Sequence, residues 1–345
     1  MRYIGSKEKV IPFIENVIFD TVGNIKGAIV ADLFSGTVAV AKHFKRLGAK
    51  LITNDYMAFS YAFQIAFIRN NYIPCFSELS KNLKVTCYKD ILTYLTNLHD
   101  HKGFFYKEYC LEGSRNSFFQ RNYFSDFNAR KIDSIRVILN EWYKNDLINQ
   151  DEFYILLSSL IEAVTKVSNI SGTYGAFLKF DERRKYKELE LMPIEIINSD
   201  HEHICHCKDI LELITCVAGD ILYLDPPYNQ RQYPPYYHIL ETLTLYDNPK
   251  IYGKTGRRPY KDKLSPFCVK NKTSEALDYL IRKAKFKHIF LSYNTEGILT
   301  KEEVFRILTD IGYVELFEQD YRRYKSNNNG TDRGNLKELI FYVRK

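Results

Sequence analysis

Apolar positions along this chain follow two regimes. In "GAIVADLFSGTVAVAKHFKRLG" a run over 29–33 that is apolar but for Asp32 gives way to a small-residue turn, then to helical spacing that stops near Gly48. "AKLITND", "GDILYLDPPY" and "KHIFLSYNTEG" are further short apolar runs, closed by Asn54 and Asp55, by Asp225 and by Asn294, and helical spacing resumes over 301–309. Short runs that are apolar throughout read as strands buried on both faces. Their alternation with helices predicts an α/β fold with a mostly parallel sheet covered on both sides. Ligands of such sheets sit at the carboxyl ends of the strands, where Asp32, Asp55, Asp225 and Asn294 fall.

From about residue 73 to 198 the spacing is helical and no buried strand is expected. "DFNARKIDSIRVILNEWYKND" sets Ile132, Ile135, Ile138, Leu139 and Trp142 on one stripe, with Asp126 as the expected N-cap. "QDEFYILLSSLIEAVTKV" predicts a second helix. Around them "SRNSFFQRNYF" and "YGAFLKFDERRKYK" interleave aromatics with Arg and Lys, a mixture that suits bases and phosphates. A purely structural helical elaboration has the same periodicity. The expected division is a sheet domain from 1–73 and 196–345, with a mainly helical insert at 74–195.

Composition narrows the class. With 345 residues, 45% hydrophobic and 26% charged, the chain reads as a soluble globular protein. The opening "MRYIGSKEKVIPFIENVIF" is interrupted by Lys7, Glu8, Lys9, Pro12 and Glu15, so neither a signal peptide nor a membrane span is expected. Seven scattered cysteines suit reduced thiols in a cytoplasm. The net charge of +7 is mild, but it is unevenly placed: 250–272 holds eight Lys and Arg against Asp262 alone. Such a patch is either a solvated loop or a phosphate contact. "RRYKSNNNGTDRG" near the C-terminus is a polar loop that could also touch a polyanion. "HEHICHC" resembles a metal site, yet its His and Cys alternate with period two, as on a strand face, and no second ligand pair stands at zinc-like spacing. No metal is expected.

The candidate chemistry lies in Asp225, Pro226, Pro227 and Tyr228. Two prolines fix the backbone and remove its donors, so the Asp225 carboxylate and a prolyl carbonyl can both act as acceptors beside the flat face of Tyr228. That arrangement suits a planar ring bearing an amino group; the same residues also make an ordinary strand-ending turn. The turn "DLFSGTVAV" after the first strand has one glycine, Gly36, where a pyrophosphate site wants three. A ligand with ribose and adenine but no phosphates needs fewer, and S-adenosylmethionine is such a ligand. Gly36 would admit its amino-acid portion, Asp55 would accept from the ribose hydroxyls, and Asp209 in "CHCKDILEL" from the adenine amino group.

In order along the chain, "RYIGSK", "DLFSGTVAVAKHF", "ITNDY", "DPPYNQRQY" with "YYHILETL", and "FLSYNTEG" resemble the Dam-like class of adenine-N6 DNA methyltransferases, including the modification enzymes of restriction systems. The resemblance implies a Rossmann-like S-adenosylmethionine-dependent methyltransferase sheet with an inserted helical target-recognition region, acting on a flipped adenine of double-stranded DNA. By it Tyr3 and Lys7 join Asp55 and Asp225 at the cofactor, with Lys7 at the methionine carboxylate and Tyr3 stacking; Asp32, Phe34, Gly36 and Asp209 complete the expected cofactor set. It also implies a cognate endonuclease as functional partner. Val38 departs from the pattern, standing where the family often has a second glycine. DPPY is shared with some RNA and cytosine enzymes, so those remain alternatives, as does an inactive DNA-binding module. For DNA, Arg115 and Arg121 in the insert are expected to read bases, and Arg257 and Arg258 to hold the backbone.

Overall fold

Each apolar run expected to be a strand is one in the computed structural model, which describes residues 4–179, 187–321 and 336–345. The described chain forms two compact units, 6–64 with 198–232 and 262–345, and 4–5 with 65–197 and 233–261.

The first unit is a seven-stranded sheet. Its strands are β1 (Ile29–Asp32), β2 (Lys50–Asn54), β3 (Ile204–His206), β4 (Ala218–Leu224), β5 (Lys285–Asn294), β6 (Tyr313–Tyr321) and β7 (Leu336–Arg344). The order is β3-β2-β1-β4-β5-β7-β6. The first five are parallel, whereas β7 runs antiparallel to both neighbours. Strand residues alternate between two cores. Ala31, Leu33, Leu222, Leu224, Ile289 and Leu291 share one core with Leu277 and Leu280 of helix Thr273–Lys283 and Val304 and Leu308 of helix Lys301–Thr309. On the opposite face Phe44, from helix Ala39–Arg46, meets Tyr223 edge-on with ring centres 5.9 Å apart. Strand order reverses between β1 and β4, and a sheet of this kind opens a crevice beyond the strand ends at that point. Asp32 and Asp225 lie there.

The second unit is mainly helical. Helices Asp126–Lys144 and Gln150–Val167 stand where their periodicity placed them. Ser125, not Asp126, caps the first: its hydroxyl accepts from Asn128 N at 3.2 Å. Asp126 already has helical geometry, one position too late to cap. This unit is also larger than the 74–195 segment, because 233–261 packs with it. The reason is burial: helix Pro234–Leu245 carries Ile239, Leu240 and Leu243 fully inside. Arg136, 1% exposed, donates to the Leu243 carbonyl at its C-terminus at 2.8 Å.

Candidate active site and a clamped basic turn

Four strand ends converge in the sheet unit, and side chains stitch them. Asn54 at the end of β2 donates to the Leu33 and Lys208 carbonyls, each at 3.2 Å, and accepts from Lys208 N at 3.0 Å. The ends of β1, β2 and β3 are thereby locked together. Asp55 accepts from Gly36 N and Met57 N, both at 2.9 Å. The expected ribose acceptor therefore also shapes the turn after β1, and a carboxylate has more lone pairs than these two bonds use. Gly36 has φ +50°. Val38 has φ +58° and is fully buried. A β-branched residue in the left-handed region is strained, and this geometry explains why a glycine suits the position. Phe34 packs edge-on against Phe267, ring centres 5.5 Å apart. Asp209 is the N-cap of helix Ile210–Leu213, accepting from Leu211 N at 2.8 Å, so the expected adenine acceptor has a structural task as well. Tyr3 lies outside the described residues, as does the polar segment 322–334.

Beyond β4, Asp225 is tied to Lys7, Nζ to Oδ1 3.3 Å, with side-chain exposures of 7% for Lys7 and 16% for Asp225. Lys7 also pairs with Glu338 on β7, and the Ser292 hydroxyl donates to the same carboxylate at 2.7 Å. The Lys7 ammonium is therefore shared by two carboxylates rather than left whole for a ligand, although three donors leave one spare. Burial pushes the Asp225 carboxyl up to about 7; Lys7 opposes this and Glu338 adds to it. Burial likewise acts on Lys7, but its two carboxylates hold its pKa well above the usual value. Asp32 is raised to about 8 by burial and by the charges of Asp225 and Asp55. One of its oxygens, Oδ1, is buried with no hydrogen-bond partner among the described residues.

The turn itself is held from behind. The Tyr228 carbonyl accepts from Ile298 N at 2.7 Å, and its ring meets Tyr293 edge-on at 5.9 Å. Lys7 Nζ lies 5.4 Å from the Tyr228 ring centre. Tyr293 Oη accepts from Leu299 N at 3.1 Å, and a Cβ on Gly297 would fall 2.1 Å from the Tyr293 ring, so only glycine fits there. Among the described residues no donor bonds the Pro226 carbonyl. Sequence reasoning missed Glu338 and the stitching role of Asn54.

In the helical unit the four expected DNA-contacting arginines divide. Arg115 is exposed on a loop with Phe118, itself 93% exposed. Arg121 is 5% exposed; its guanidinium meets the Glu108 carboxylate at 3.1 Å and the Gly253 carbonyl at 3.2 Å. A buried, carboxylate-paired guanidinium is not presented to a base, so the expectation for Arg121 gives way to a structural role. Arg258 forms a two-pronged pair with Asp247 at 3.1 and 2.7 Å. Arg257 is exposed. In "HEHICHC", His203 Nδ1 accepts from Leu51 N at 3.1 Å, which makes the segment part of the sheet edge.

The family described as D12 class N6 adenine-specific DNA methyltransferase matches residues 3–307. The type II methyltransferase M.FokI of Planomicrobium okeanokoites is 43% identical over all of this chain, which spans 53% of that enzyme. M.NlaIII of Neisseria lactamica is 38% identical over 95% of this chain and 93% of its own length. The modification methylase StsI of Streptococcus sanguinis is 36% identical, and the chain covers 52% of it. The chain thus spans about half the length of two of these relatives and nearly all of the third. With a match running from residue 3 into helix Lys301–Thr309, and the DPPY turn set at the reversal of strand order, the chain belongs to the D12 class N6 adenine-specific DNA methyltransferase family.

Proposed function

We propose that this chain transfers a methyl group from S-adenosylmethionine to N6 of an adenine rotated out of double-stranded DNA. The observation that carries the reading is the Lys7–Asp225–Glu338 cluster beside a donorless Pro226-Pro227 turn. The crevice suits the cofactor on its own chemistry. Gly36 gives a close-approach turn, Asp55 sets a carboxylate acceptor against that turn, and Asp32 presents a buried oxygen without a hydrogen-bond partner among the described residues. Asp32, Phe34, Gly36, Asp55 and Asp209 would hold it, with Tyr3 added by resemblance. When bound, it supplies an electrophilic methyl group.

Adenine's amino nitrogen is a poor nucleophile because its lone pair is spread into the ring. Asp225 and the Pro226 carbonyl each accept one amino hydrogen, which favours a pyramidal nitrogen with its lone pair free. That stabilisation is aimed at the transition state. Lys7 keeps the Asp225 carboxylate oriented and offsets its burial, while Pro227 fixes the backbone and Tyr228 stacks on the base. Arg115 and Arg257 contact DNA, and Arg121 and Arg258 hold the elements that carry them. A restriction endonuclease of the same site is the functional partner, a reading supported by relatives named as type II methyltransferases and a modification methylase. A DNA substrate, and scattered cysteines that suit reduced thiols, support a cytoplasmic location; separately, among the described residues no helix is long and apolar enough to cross a membrane.

The test is expression in a host without DNA methylation, followed by mapping of modified bases. N6-methyladenine confined to one short motif is expected. Unmodified DNA, or methylation of cytosine instead, overturns the proposal.

A further inference from the structure

A surface turn in the helical unit is held far more firmly than a solvated basic loop requires. Tyr252 and Arg257 exchange both backbone hydrogen bonds, at 2.8 and 2.9 Å, and close a tight turn in which Gly253 and Gly256 have φ +69° and +66°. The carbonyls inside it are gripped from below. Arg121 Nη2 donates to Gly253 O at 3.2 Å and the Tyr109 hydroxyl to Gly256 O at 2.9 Å. The Tyr123 hydroxyl, shared with Tyr174 O at 2.7 Å, reaches Thr255 O at 3.2 Å. Tyr109 and Tyr123 are fully buried. A Cβ on Gly256 would lie 2.7 Å from Arg121 Nε and 3.0 Å from the Tyr109 ring, so turn and clamp touch directly.

A buried guanidinium is costly unless paired. Here Glu108 pairs it, and its remaining reach is spent on a turn open to solvent. What the turn presents is Tyr252, 52% exposed, with Lys254 and Arg257, also exposed. No acid occurs within 250–258. Of the arginines at the turn, Arg121 and Arg258 have carboxylate partners, whereas among the described residues none pairs with Arg257. Holding a phosphate tolerates a mobile lysine. Reading a base demands a planar donor fixed in position and angle.

We infer that the clamped turn over 252–257 is a base-reading element, in which Arg257 makes a two-pronged contact to a guanine in the major groove. This rests on the reading that duplex DNA is the substrate, and it reverses the division expected from sequence, in which 250–272 only grips the backbone. Arg121 is a positioning residue for the turn.

The experiment selects bound sequences from a random duplex library with the parent chain, Arg257→Ala and Arg257→Lys, and follows binding against salt. The parent should enrich a motif with guanine at one position. Arg257→Ala should lose preference at that position by about 10- to 100-fold, the range for one bidentate arginine–guanine contact. Arg257→Lys should lose it too, since an ammonium lacks the fork. Gly256→Ala, which displaces the clamp, should blur the same position. If Arg257→Ala keeps the motif and weakens all sequences alike, with the salt slope falling by about one, Arg257 is a phosphate contact and the inference is wrong. Adenine methylation by the parent is scored separately. A parent that selects the motif without methylating leaves this inference standing and refutes the catalytic reading.

Discussion

Lys7 and Arg121 are both buried cations, one in each unit, and they are used in opposite ways. Lys7, 7% exposed, sits between Asp225 and Glu338, so its charge acts on the group that would touch the substrate. Arg121, 5% exposed, spends its charge on Glu108 and its spare donor on a carbonyl of a surface turn. In the sheet unit buried charge neighbours the proposed chemistry; in the helical unit it is scaffolding for exposed charge. The difference follows from what each place must do. A reacting group needs a low-dielectric setting where one partner counts for much, whereas a DNA contact must stay in water and can only be steadied from beneath.

The sharpest break in that comparison is Asp225→Ala. It removes an acceptor and leaves Lys7 with Glu338 alone, so methyl transfer in single-turnover assays should fall by at least about 100-fold. Duplex binding should change little, because phosphate contacts dominate affinity. Activity within a few-fold of the parent would mean that the Lys7 cluster is structural, like Arg121's.

The converse test is on stability. Arg121→Ala strips a charge-assisted bond and a carbonyl contact from a buried site, and should cost about 2–3 kcal/mol in denaturant unfolding. Arg257→Ala, on the surface of the same turn, should stay within about 0.5 kcal/mol. Equal losses would show that Arg257 belongs to the clamp.

Glu338→Gln sharpens the role of Lys7's second partner. The Asp225 carboxyl is raised to about 7, with burial the main cause and Glu338 adding to it. Transfer that depends on the ionised carboxylate should therefore rise with pH toward 7 and level off above it. Removing the Glu338 charge favours ionisation of Asp225, so the rising limb should move to lower pH and the rate at pH 6 should gain on that at pH 8. A limb that stays in place in single-turnover pH profiles would detach Glu338 from the chemistry.

What could be read from the chain divides along the same line. The strands were legible because parallel strands are buried on both faces and write continuous apolar runs. The acids at their ends were legible because the sheet brings strand ends together. Glu338 was not: in "LKELIFYVR" it is one polar position on a strand, and its partner Lys7 is 331 residues away. Arg121 was misjudged for a related reason. "SRNSFFQRN" has no period from which burial can be inferred, and the carbonyl it serves lies 132 residues on. The glycines at 253 and 256 were the available sign of a tight turn beneath the basic patch. The capture of 233–261 by the helical unit has no compositional break to mark it, since helix Pro234–Leu245 is apolar enough to suit either core.

A last test concerns Asp32, a buried ionisable group for which, unlike Lys7 and Arg121, no opposite charge stands as a partner among the described residues. It is 1% exposed, and among the described residues its Oδ1 has no hydrogen-bond partner. Burial, then the charges of Asp225 and Asp55, raise its carboxyl to about 8, against hydrogen bonds from the Phe34 and Ala41 amides. In the unfolded chain the same carboxyl ionises at about pH 4. Between about pH 4 and pH 8 the native state therefore holds a proton that the unfolded state has lost, and stability falls as pH rises through that window. A side-chain amide at this position keeps the shape and cannot ionise, so Asp32→Asn should remove this slope. The melting temperature of the variant should gain on the parent's between pH 5 and pH 8.5, by about 2–4 °C for each kcal/mol of penalty relieved. If the difference is the same at both pH values, Asp32 carries its charge in the fold, and a partner must compensate it as Asp225 compensates Lys7.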